Sequence, residues 1–430
     1  MKASVQWIAV LLAVCAAPAF AADKAASKPA ATAGGDVFSK SIGGKEWRVE
    51  KIAGTDKYKV TWGSEEVTWE PKPWHPKDLR EQGPSWYYKL YGEKTPYPPL
   101  DISVDERAKL DGQAVMRGWC LVEDTSQMLD WKGGFCFDII SATGQVRTRC
   151  GIEWKRAYLR PEFKKIYDAN KMLNKRFIVL TAPRSVRGVG FLTYVYDDPV
   201  KEQDNWLYLP SVRKVRRLAT AAKQDYFAGT PMRNEDLPQT SPYNHNYKVL
   251  RTELFKDPGP QQWGFGTTGW EAKEERPDGI GTPHWVIEAT PKDKEYWFAK
   301  KTIYVNMFTF GVDLELVYDG KGELIRTGWY NHRPATLIDP KVPSTYLIWD
   351  TDSFYDTRTG YKSVFWGAHR RSKVPWEESF FDTNFSEDIF NPDVLTQEYT
   401  STTQYGPTPS DWVVSPDPWP HPADVKTNPD

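Results

Sequence analysis

The sequence predicts a mainly β protein, and two features of the chain support this expectation. Aromatic residues, which favour strands, are plentiful, with 22 Tyr, 20 Trp and 19 Phe among 430 residues. They lie in short runs of alternating apolar and polar residues that end at Gly, Pro, Asp or Asn, as strands end at turns. Helices are expected to be few.

Eight strands are predicted from these runs, at residues 176–181, 186–196, 206–209, 213–218, 285–289, 302–308, 314–318 and 323–330. Asp319-Gly320 separates the last two runs and predicts a hairpin, because Gly accepts the positive φ of a tight turn. One helix is predicted at residues 162–173 (EFKKIYDANKML), where apolar side chains recur near one face.

The predicted strand at residues 186–196 is apolar on both faces. Val189, Phe191 and Val195 alternate onto one face, whereas Leu192, Tyr194 and Tyr196 lie on the other. A sheet with two apolar faces needs cover on both or a bound ligand. The alternative is that helices and loops supply all of the cover and that no ligand binds.

The first residues predict export. Lys2 is followed by an apolar run from Val5 to Ala17, which is too short to span a bilayer, and Ala19-Phe20-Ala21 matches the small-x-small pattern of a cleavage site. Residues 1–21 are therefore predicted to be a signal peptide, and the expected compartment is a bacterial periplasm. In an alternative interpretation, Leu12-Ala13-Val14-Cys15 is a lipoprotein box and Cys15 carries a lipid anchor.

Composition divides the rest of the chain. Residues 22–36 are small and polar and predict a flexible linker, whereas residues 397–430 are rich in Pro and predict an extended tail. Residues 37–154 are rich in Trp and Pro and form an N-terminal module whose fold the sequence leaves open. Cys120, Cys136 and Cys150 remain after export, so one disulfide with one thiol left over is expected, or buried thiols; the sequence does not select the pair.

No motif for catalysis, a metal or a cofactor is found. The histidines show no metal-binding spacing, and the chain lacks a Gly-x-Ser-x-Gly elbow and a Walker loop. Residues 264–269 (GFGTTG) match a dinucleotide fingerprint, which needs a buried strand before it and an apolar helix after it. Here DPGP precedes the match and the charged stretch WEAKEERP follows it, which predicts a loop. Abundant Trp and carboxylates leave open a protein that binds or cleaves envelope glycans.

The charges nearly cancel, with a net charge of −1, so any electrostatic steering must be local. The densest basic feature is Arg213, Lys214, Arg216 and Arg217. On a strand, Arg213 and Arg217 share one face and Lys214 and Arg216 the other. This pattern is typical of a solvated strand edge or of a docking patch for an acidic partner or a lipid head group; nucleic acid is disfavoured for an exported protein.

Several segments resemble a known family. They are DNWLYLP (204–210), RKVRR (213–217), DYFAGT (225–230), EDL (235–237), HWVIEATPK (284–292), YVNMFTF (304–310), LELVYDGKGEL (314–324) and FDTNFSEDIFNPDVL (381–395). With these segments, residues 155–396 resemble an uncharacterised family of exported bacterial proteins related to outer-membrane lipoprotein-sorting proteins, the LolA/LolB-like group. The N-terminal module does not match the usual start of that family.

The resemblance implies a strongly curved antiparallel sheet at residues 155–396, an incomplete barrel with helices over its concave face. It also implies a non-enzymatic carrier for a lipid or other hydrophobic molecule, working beside a resistance-nodulation-division exporter or an outer-membrane partner. A structural subunit of an envelope complex is the further alternative. The expected lining residues are Phe191, Tyr194, Trp206, Tyr208, Trp285, Val305 and Phe308, and the expected head-group or partner contacts are Arg213, Lys214, Arg216 and Arg217.

Overall fold

The computed structural model describes residues 36–69, 102–125, 131–158, 172–196, 201–219, 224–236, 243–255, 281–336, 345–367, 390–393 and 395. The predicted signal peptide, the Pro-rich tail, nearly all of the linker and the GFGTTG loop lie outside these residues. Within them, none of the helices has the length and apolar character that a membrane crossing requires.

The first part of the described chain is a four-stranded antiparallel sheet followed by two helices. Its strands pair in chain order and are β1 Asp36–Ile42, β2 Lys45–Lys51, β3 Tyr58–Trp62 and β4 Glu65–Trp69. The helices are α1 Val104–Arg107 and α2 Gly112–Thr125. Helix α1 begins with a capping box, in which the Ser103 hydroxyl accepts from the Glu106 amide and the Glu106 carboxylate accepts from the Ser103 amide.

The second part is a 13-stranded antiparallel sheet. Its strands are β5 Trp131–Ile140, β6 Val146–Tyr158, β7 Met172–Ala182, β8 Gly190–Tyr196, β9 Asp204–Leu209, β10 Lys214–Leu218, β11 His245–Leu254, β12 Pro283–Pro291, β13 Lys300–Asn306, β14 Val312–Tyr318, β15 Leu324–Thr336, β16 Thr345–Asp356 and β17 Lys362–Gly367. Their order is β10-β9-β8-β7-β6-β5-β17-β16-β15-β14-β13-β12-β11. Strands β10 and β11 form the two edges, so this sheet is not closed, and the predicted mainly β, open antiparallel architecture is confirmed.

All eight predicted strands are present, with shifts at their ends. Strand β8 begins at Gly190, so Val186 and Val189 lie in the turn before it. Strand β10 begins at Lys214, because Arg213 occupies the turn with a φ of 50°. Strand β13 ends at Asn306, and Phe308 lies in the following turn. The predicted helix at 162–173 lies mostly outside the described residues, and its last two residues, Met172 and Leu173, belong instead to β7.

The hairpin predicted at Asp319-Gly320 joins β14 and β15, although the reason given for it was wrong. The positive φ, 82°, belongs to Gly322, and Gly320 is not in the left-handed region. The Asp319 carboxylate accepts hydrogen bonds from the Lys321 and Glu323 amides, at 2.8 and 3.0 Å. Asp319 is therefore the residue that shapes this turn.

The large sheet begins earlier in the chain than the expected boundary after residue 154. That boundary falls within β6, and β5 and β6 together form the centre of the sheet, between β7 and β17. The N-terminal module therefore contributes two central strands, while its own four-stranded sheet and helices pack against the other end.

The large sheet curves, and one buried ring shows the direction. Phe191 on β8 and Phe365 on β17 are four strands apart, which corresponds to roughly 19 Å in a flat sheet. Both rings lie close to Phe227, at centroid distances of 5.9 and 6.4 Å. The face that carries Phe191 and Phe365 and packs against Phe227 is therefore the concave face, and the opposite face, with Phe177, Leu192 and Tyr208, is the convex face.

Three parts of the chain cover the concave face. The four-stranded sheet and α2 cover the end nearest β11, where the Trp47 ring lies 4.7 Å from Phe308 and a Cβ on Gly118 would meet the Phe310 ring. Residues 224–236, here called the covering segment, lie over the centre, with Phe227 among Phe137, Phe191 and Phe365. Among the described residues, cover comes mainly from strands and loops, with α2 the principal helix.

Candidate functional site

The seven expected lining residues divide between the two faces of the sheet. Alternate positions on a strand point to opposite faces, and the strand pairings place Phe191, Trp285 and Val305 on the concave side. Phe308, in the turn after β13, belongs to the same buried cluster. The convex cluster holds Tyr194, Trp206 and Tyr208. One cavity therefore does not gather all seven residues.

Three of the concave residues are part of the protein core. Trp285, Val305 and Phe308 are fully buried, with 0% of each side chain exposed. The Trp285 ring packs 5.3 Å from Phe310, and the four-stranded sheet covers Phe308 through Trp47. The chain itself covers their apolar surface.

Phe191 lies in a different environment at the β5–β8 end of the concave face. It is only partly buried, and so are Ile139, Val186 and Val189, all of which pack against the buried core. We call these four residues the concave patch. Phe227 of the covering segment contacts the Phe191 ring, so the covering segment borders the patch.

The convex residues form a second aromatic patch with a contribution from the C-terminal part of the chain. Tyr194 and Trp206 meet edge to face at 4.7 Å and are partly exposed, whereas Tyr208 is buried. Phe390 and Leu395 pack on this cluster, and the Tyr194 hydroxyl donates to the Phe390 carbonyl at 2.6 Å. This convex patch is therefore covered by residues from the segment that resembles the family's closing stretch.

The covering segment is held in shape by its own hydrogen bonds. The Phe227 amide donates to the Met232 carbonyl at 2.8 Å, and the Thr230 hydroxyl donates to the Phe227 carbonyl at 2.7 Å. Gly229 turns the chain with a φ of 79°, a conformation that favours glycine. The resulting loop presents Phe227 to the sheet and ends in a 3₁₀ turn at Asn234–Asp236.

Buried charges attach the covering segment to the concave face. Asp236 accepts two hydrogen bonds from the Arg326 guanidinium on β15, at 2.5 and 2.8 Å. Arg326 also donates to Glu315 at 2.6 Å, and the Lys301 ammonium lies 3.0 Å from Glu315 and 3.7 Å from Asp236. Burial opposes the ionisation of Asp236, but the Arg326 and Lys301 charges outweigh it and hold its pKa below the ordinary value.

Glu235 is held in the same region by neutral donors. The Tyr296 hydroxyl and the Trp297 indole N–H both donate to its carboxylate. Burial raises the pKa of Glu235; the Lys301 charge opposes this shift, and the Asp236 charge adds to it. The pKa values of two adjacent carboxyl groups in one turn are thus shifted in opposite directions: burial raises that of Glu235, and the Arg326 and Lys301 charges lower that of Asp236.

Sequence reasoning did not identify this charged cluster. Glu235 and Asp236 lie in a segment that carries the family resemblance, yet no role followed from their position. A signal was present on β13 and β14, where charged Lys301, Asp313 and Glu315 interrupt apolar runs at alternate positions. Charges at such positions on a buried strand predict an interior ion-pair network.

The predicted basic cluster is divided by the same alternation. Lys214 and Arg216 pair with Leu209 and Leu207, whereas Arg217 pairs with Trp206 on the convex side and binds the Asp204 carboxylate. Arg213 lies in the turn. All four basic residues are exposed.

The structure describes the side chains of two of the three cysteines for which a disulfide or buried thiols were predicted. Cys120 and Cys150 are thiols outside any disulfide, and the side chain of Cys136 lies outside the described residues. Among the residues that the structure describes, no group of His, Cys, Asp and Glu has an arrangement that could hold a metal ion.

Three solved structures are similar to this chain over about two thirds of its length. A domain named for outer membrane lipoprotein sorting, from Vibrio parahaemolyticus, is 18% identical, with a TM-score of 0.48 and 66% of this chain and 98% of that chain covered. A DUF1329 family protein from Desulfovibrio piger is 18% identical, with a TM-score of 0.47 and coverage of 65% and 98%. A LolA superfamily protein from Nitrosomonas europaea is 15% identical, with a TM-score of 0.41 and coverage of 66% and 99%.

No curated protein matches the sequence. A family model described as an uncharacterised protein matches residues 173–397. Because the match extends over more than half of the chain, this protein belongs to that family of uncharacterised proteins, DUF1329.

Proposed function

We propose that this protein binds a lipid or another hydrophobic molecule on the concave patch and carries it within the cell envelope. The observation that carries the proposal is the partial exposure of Ile139, Val186, Val189 and Phe191, four apolar residues at the β5–β8 end of the concave face. Trp285, Val305 and Phe308, farther along that face, are fully buried by the chain itself. A contiguous apolar surface inside a concavity is typical of a ligand site.

The chemistry of such a site requires contact rather than catalysis. Each buried methylene group contributes about 0.8 kcal/mol, so a short stretch of acyl chain on the patch supplies useful affinity. The covering segment borders the patch through Phe227 and is attached by ion pairs at Asp236. A ligand on the patch would therefore contact both the sheet and this segment. In this proposal a resistance-nodulation-division exporter or an outer-membrane partner receives the ligand.

The first test is extraction of the purified protein with organic solvent, followed by mass spectrometry of the extract. We expect a reproducible hydrophobic species. An extract without one, from a protein that instead retains or cleaves envelope glycans, would contradict the proposal and favour the glycan alternative.

The second test is titration with a fluorescent fatty acid that brightens in an apolar site. Val189→Asp places a charge on the patch, and Phe191→Ser removes its largest side chain, so both changes are expected to weaken probe binding about tenfold or more. Leu250→Asp is the control, because Leu250 is 42% exposed on β11, away from the patch. Equal affinity in all three variants, with unchanged melting curves, would place the ligand elsewhere.

A further inference from the structure

We infer that one end of the large sheet, formed by four consecutive hairpin turns, docks on an anionic phospholipid bilayer. The turns are residues 210–213 between β9 and β10, 183–189 between β7 and β8, 141–145 between β5 and β6, and 357–361 between β16 and β17. We call this end the basic rim. The inference rests on the proposed function for its purpose, because a lipid carrier must meet the membrane that supplies or receives its lipid.

The strand order places these four turns side by side. The eight strands concerned are consecutive in the sheet, from β10 to β16. The joined strand ends lie at the same end of the sheet, as shown by the pairings Lys214 with Leu209, Ile140 with Val146 and Lys362 with Ile140. Four turns that are distant in sequence thus form one continuous surface.

This surface is basic. Six exposed or half-buried cationic side chains lie in the turns or within two residues of them: Arg147, Arg184, Arg187, Arg213, Lys214 and Arg358. A seventh, Lys362, follows the last turn and is buried. None of the four turns contains Asp or Glu. Asp356, at the end of β16, is buried, and its carboxylate accepts from the Arg358 and Thr359 amides while lying 3.7 Å from the Arg358 guanidinium.

The other half of the same sheet end provides an internal comparison. Its two turns, residues 292–299 and 319–323, carry Lys292, Lys294 and Lys321, and exposed Lys300 follows the first of them. These four cations are balanced by four acidic residues, Asp293, Glu295, Asp319 and Glu323. The whole chain has a net charge of −1. Positive charge is therefore concentrated at the rim and does not reflect a generally basic surface.

Exposed apolar groups lie among these charges. In the described part of the chain, four large apolar residues are exposed, and three of them belong to this end of the sheet: Val212 at 49%, Tyr226 at 42% and Tyr361 at 39%. Tyr226 is held there by its hydroxyl, which lies 3.2 Å from the Asp356 carboxylate. An aliphatic and two phenolic side chains between cations suit a bilayer interface, where rings and apolar tips enter the head-group layer. An acidic protein surface would leave these apolar groups without an apolar counterpart.

The rim also adjoins the concave patch. Val186 and Val189 belong to the rim turn at residues 183–189, and Phe191 follows two residues later on β8. Contact of the rim with a bilayer would therefore bring the patch next to the lipid tails. The same geometry connects docking to loading without a large movement of the sheet.

The test is co-sedimentation of the purified chain, without residues 1–21, with vesicles of phosphatidylcholine alone or with about one third phosphatidylglycerol. Binding is expected only to the anionic vesicles and is expected to decrease as salt is raised. A cation near an anionic surface strengthens binding about fivefold, so the triple variant Arg184→Glu, Arg213→Glu, Lys214→Glu should bind at least about 100-fold more weakly.

The matched control is Lys292→Glu, Lys294→Glu, Lys321→Glu, which changes the same number of charges at the same end of the sheet. It is expected to bind within about threefold of the unmodified chain. Val212→Ser should weaken vesicle binding, whereas Leu250→Ser should not, because Leu250 lies outside the rim.

The inference is overturned if both triple variants lose binding equally, if neutral vesicles bind as well as anionic ones, or if polyglutamate binds the rim while vesicles do not. The fatty-acid titration of the rim variant separates this inference from the proposed function. If the rim variant still binds the probe but no longer binds vesicles, docking by the rim is supported. If the unmodified chain does not bind the probe, the carrier proposal is contradicted, whatever the vesicles show.

Discussion

Asp236 and Arg326 form a two-point ion pair inside the protein, with Oδ2 and Oδ1 of the carboxylate 2.5 and 2.8 Å from Nη1 and Nη2 of the guanidinium. Both side chains are almost fully buried. The pair joins residues 90 positions apart, one at the end of the covering segment and one on β15. Bidentate geometry and burial make this contact the strongest single attachment that the described chain shows for that segment.

Asp236→Asn is expected to destabilise the protein by about 3–5 kcal/mol, because it leaves the Arg326 charge buried without its closest partner. Glu235→Gln should cost less, since Glu235 accepts from the neutral Tyr296 and Trp297 groups and burial already disfavours its charge. Urea unfolding at neutral pH measures both. An equal loss in the two variants would show that the guanidinium pairing has no special weight.

The same two residues predict opposite responses to pH. The pKa of Asp236 is below its ordinary value of 3.8, so its contribution is complete above about pH 5 and is lost as the pH falls through the folded-state pKa. The pKa of Glu235 is above its ordinary value of 4.5, so its contribution is complete below that value and is lost as the pH rises through the folded-state pKa. From about pH 3 to 7, the loss of unfolding free energy caused by Asp236→Asn should therefore increase with pH, whereas the loss caused by Glu235→Gln should decrease with pH.

Gly112→Ala is expected to weaken the docking of helix α2. A Cβ at Gly112 would lie 2.6 Å from the backbone carbonyl of Tyr247 on β11, so the helix would have to move away from the strand. Overpacking of this kind costs about 1–3 kcal/mol. Gly320→Ala is the control, because a Cβ there meets nothing within 4 Å. A melting temperature that falls equally in both variants would exclude steric contact as the cause.

Trp47→Phe tests how the four-stranded sheet is attached. The Trp47 indole N–H donates to the Gly281 carbonyl at 2.9 Å, and the substitution leaves that buried carbonyl without this donor. Trp62→Phe is a close match, since Trp62 pairs with Trp47 across β2 and β3, is equally buried, and its indole nitrogen has no hydrogen-bond partner in the described structure. We expect Trp47→Phe to cost about 1–3 kcal/mol more in urea unfolding than Trp62→Phe. If Trp62→Phe costs more than Trp47→Phe, packing of the indole rings, rather than the hydrogen bond, attaches the four-stranded sheet.

Much of the large sheet was predictable because its strands alternate in character. The runs around β8 and β14 show the two-residue period directly, and both strands lie where the sequence places them. Helix α2 was not predicted, because Gly112 and Gly118 weaken its helical character even though they allow its close packing. Helix propensity and tight docking impose opposing demands on those two positions.

The candidate site was less predictable, for a reason that the alternation itself supplies. Phe191 and Tyr194 are three positions apart on one strand, so they face opposite sides of the sheet and contribute to different patches. Trp285 was also expected to line a cavity, but its ring packs against Phe310, which in turn lies against Gly118 of helix α2. Composition indicates that a residue is apolar; only the tertiary structure shows whether the chain itself covers it.

Phe227→Ala should change ligand binding as well as stability. Removing this ring from among Phe137, Phe191 and Phe365 leaves an apolar cavity next to the concave patch, at a cost of about 3–5 kcal/mol. A dry apolar cavity accepts small apolar ligands, so the fatty-acid probe is expected to bind more tightly to the variant. Phe298→Ala removes an equally buried ring from another cluster and serves as the control for lost stability. If the two variants bind the probe equally, the ligand does not lie beside Phe227, and the concave patch is not the site.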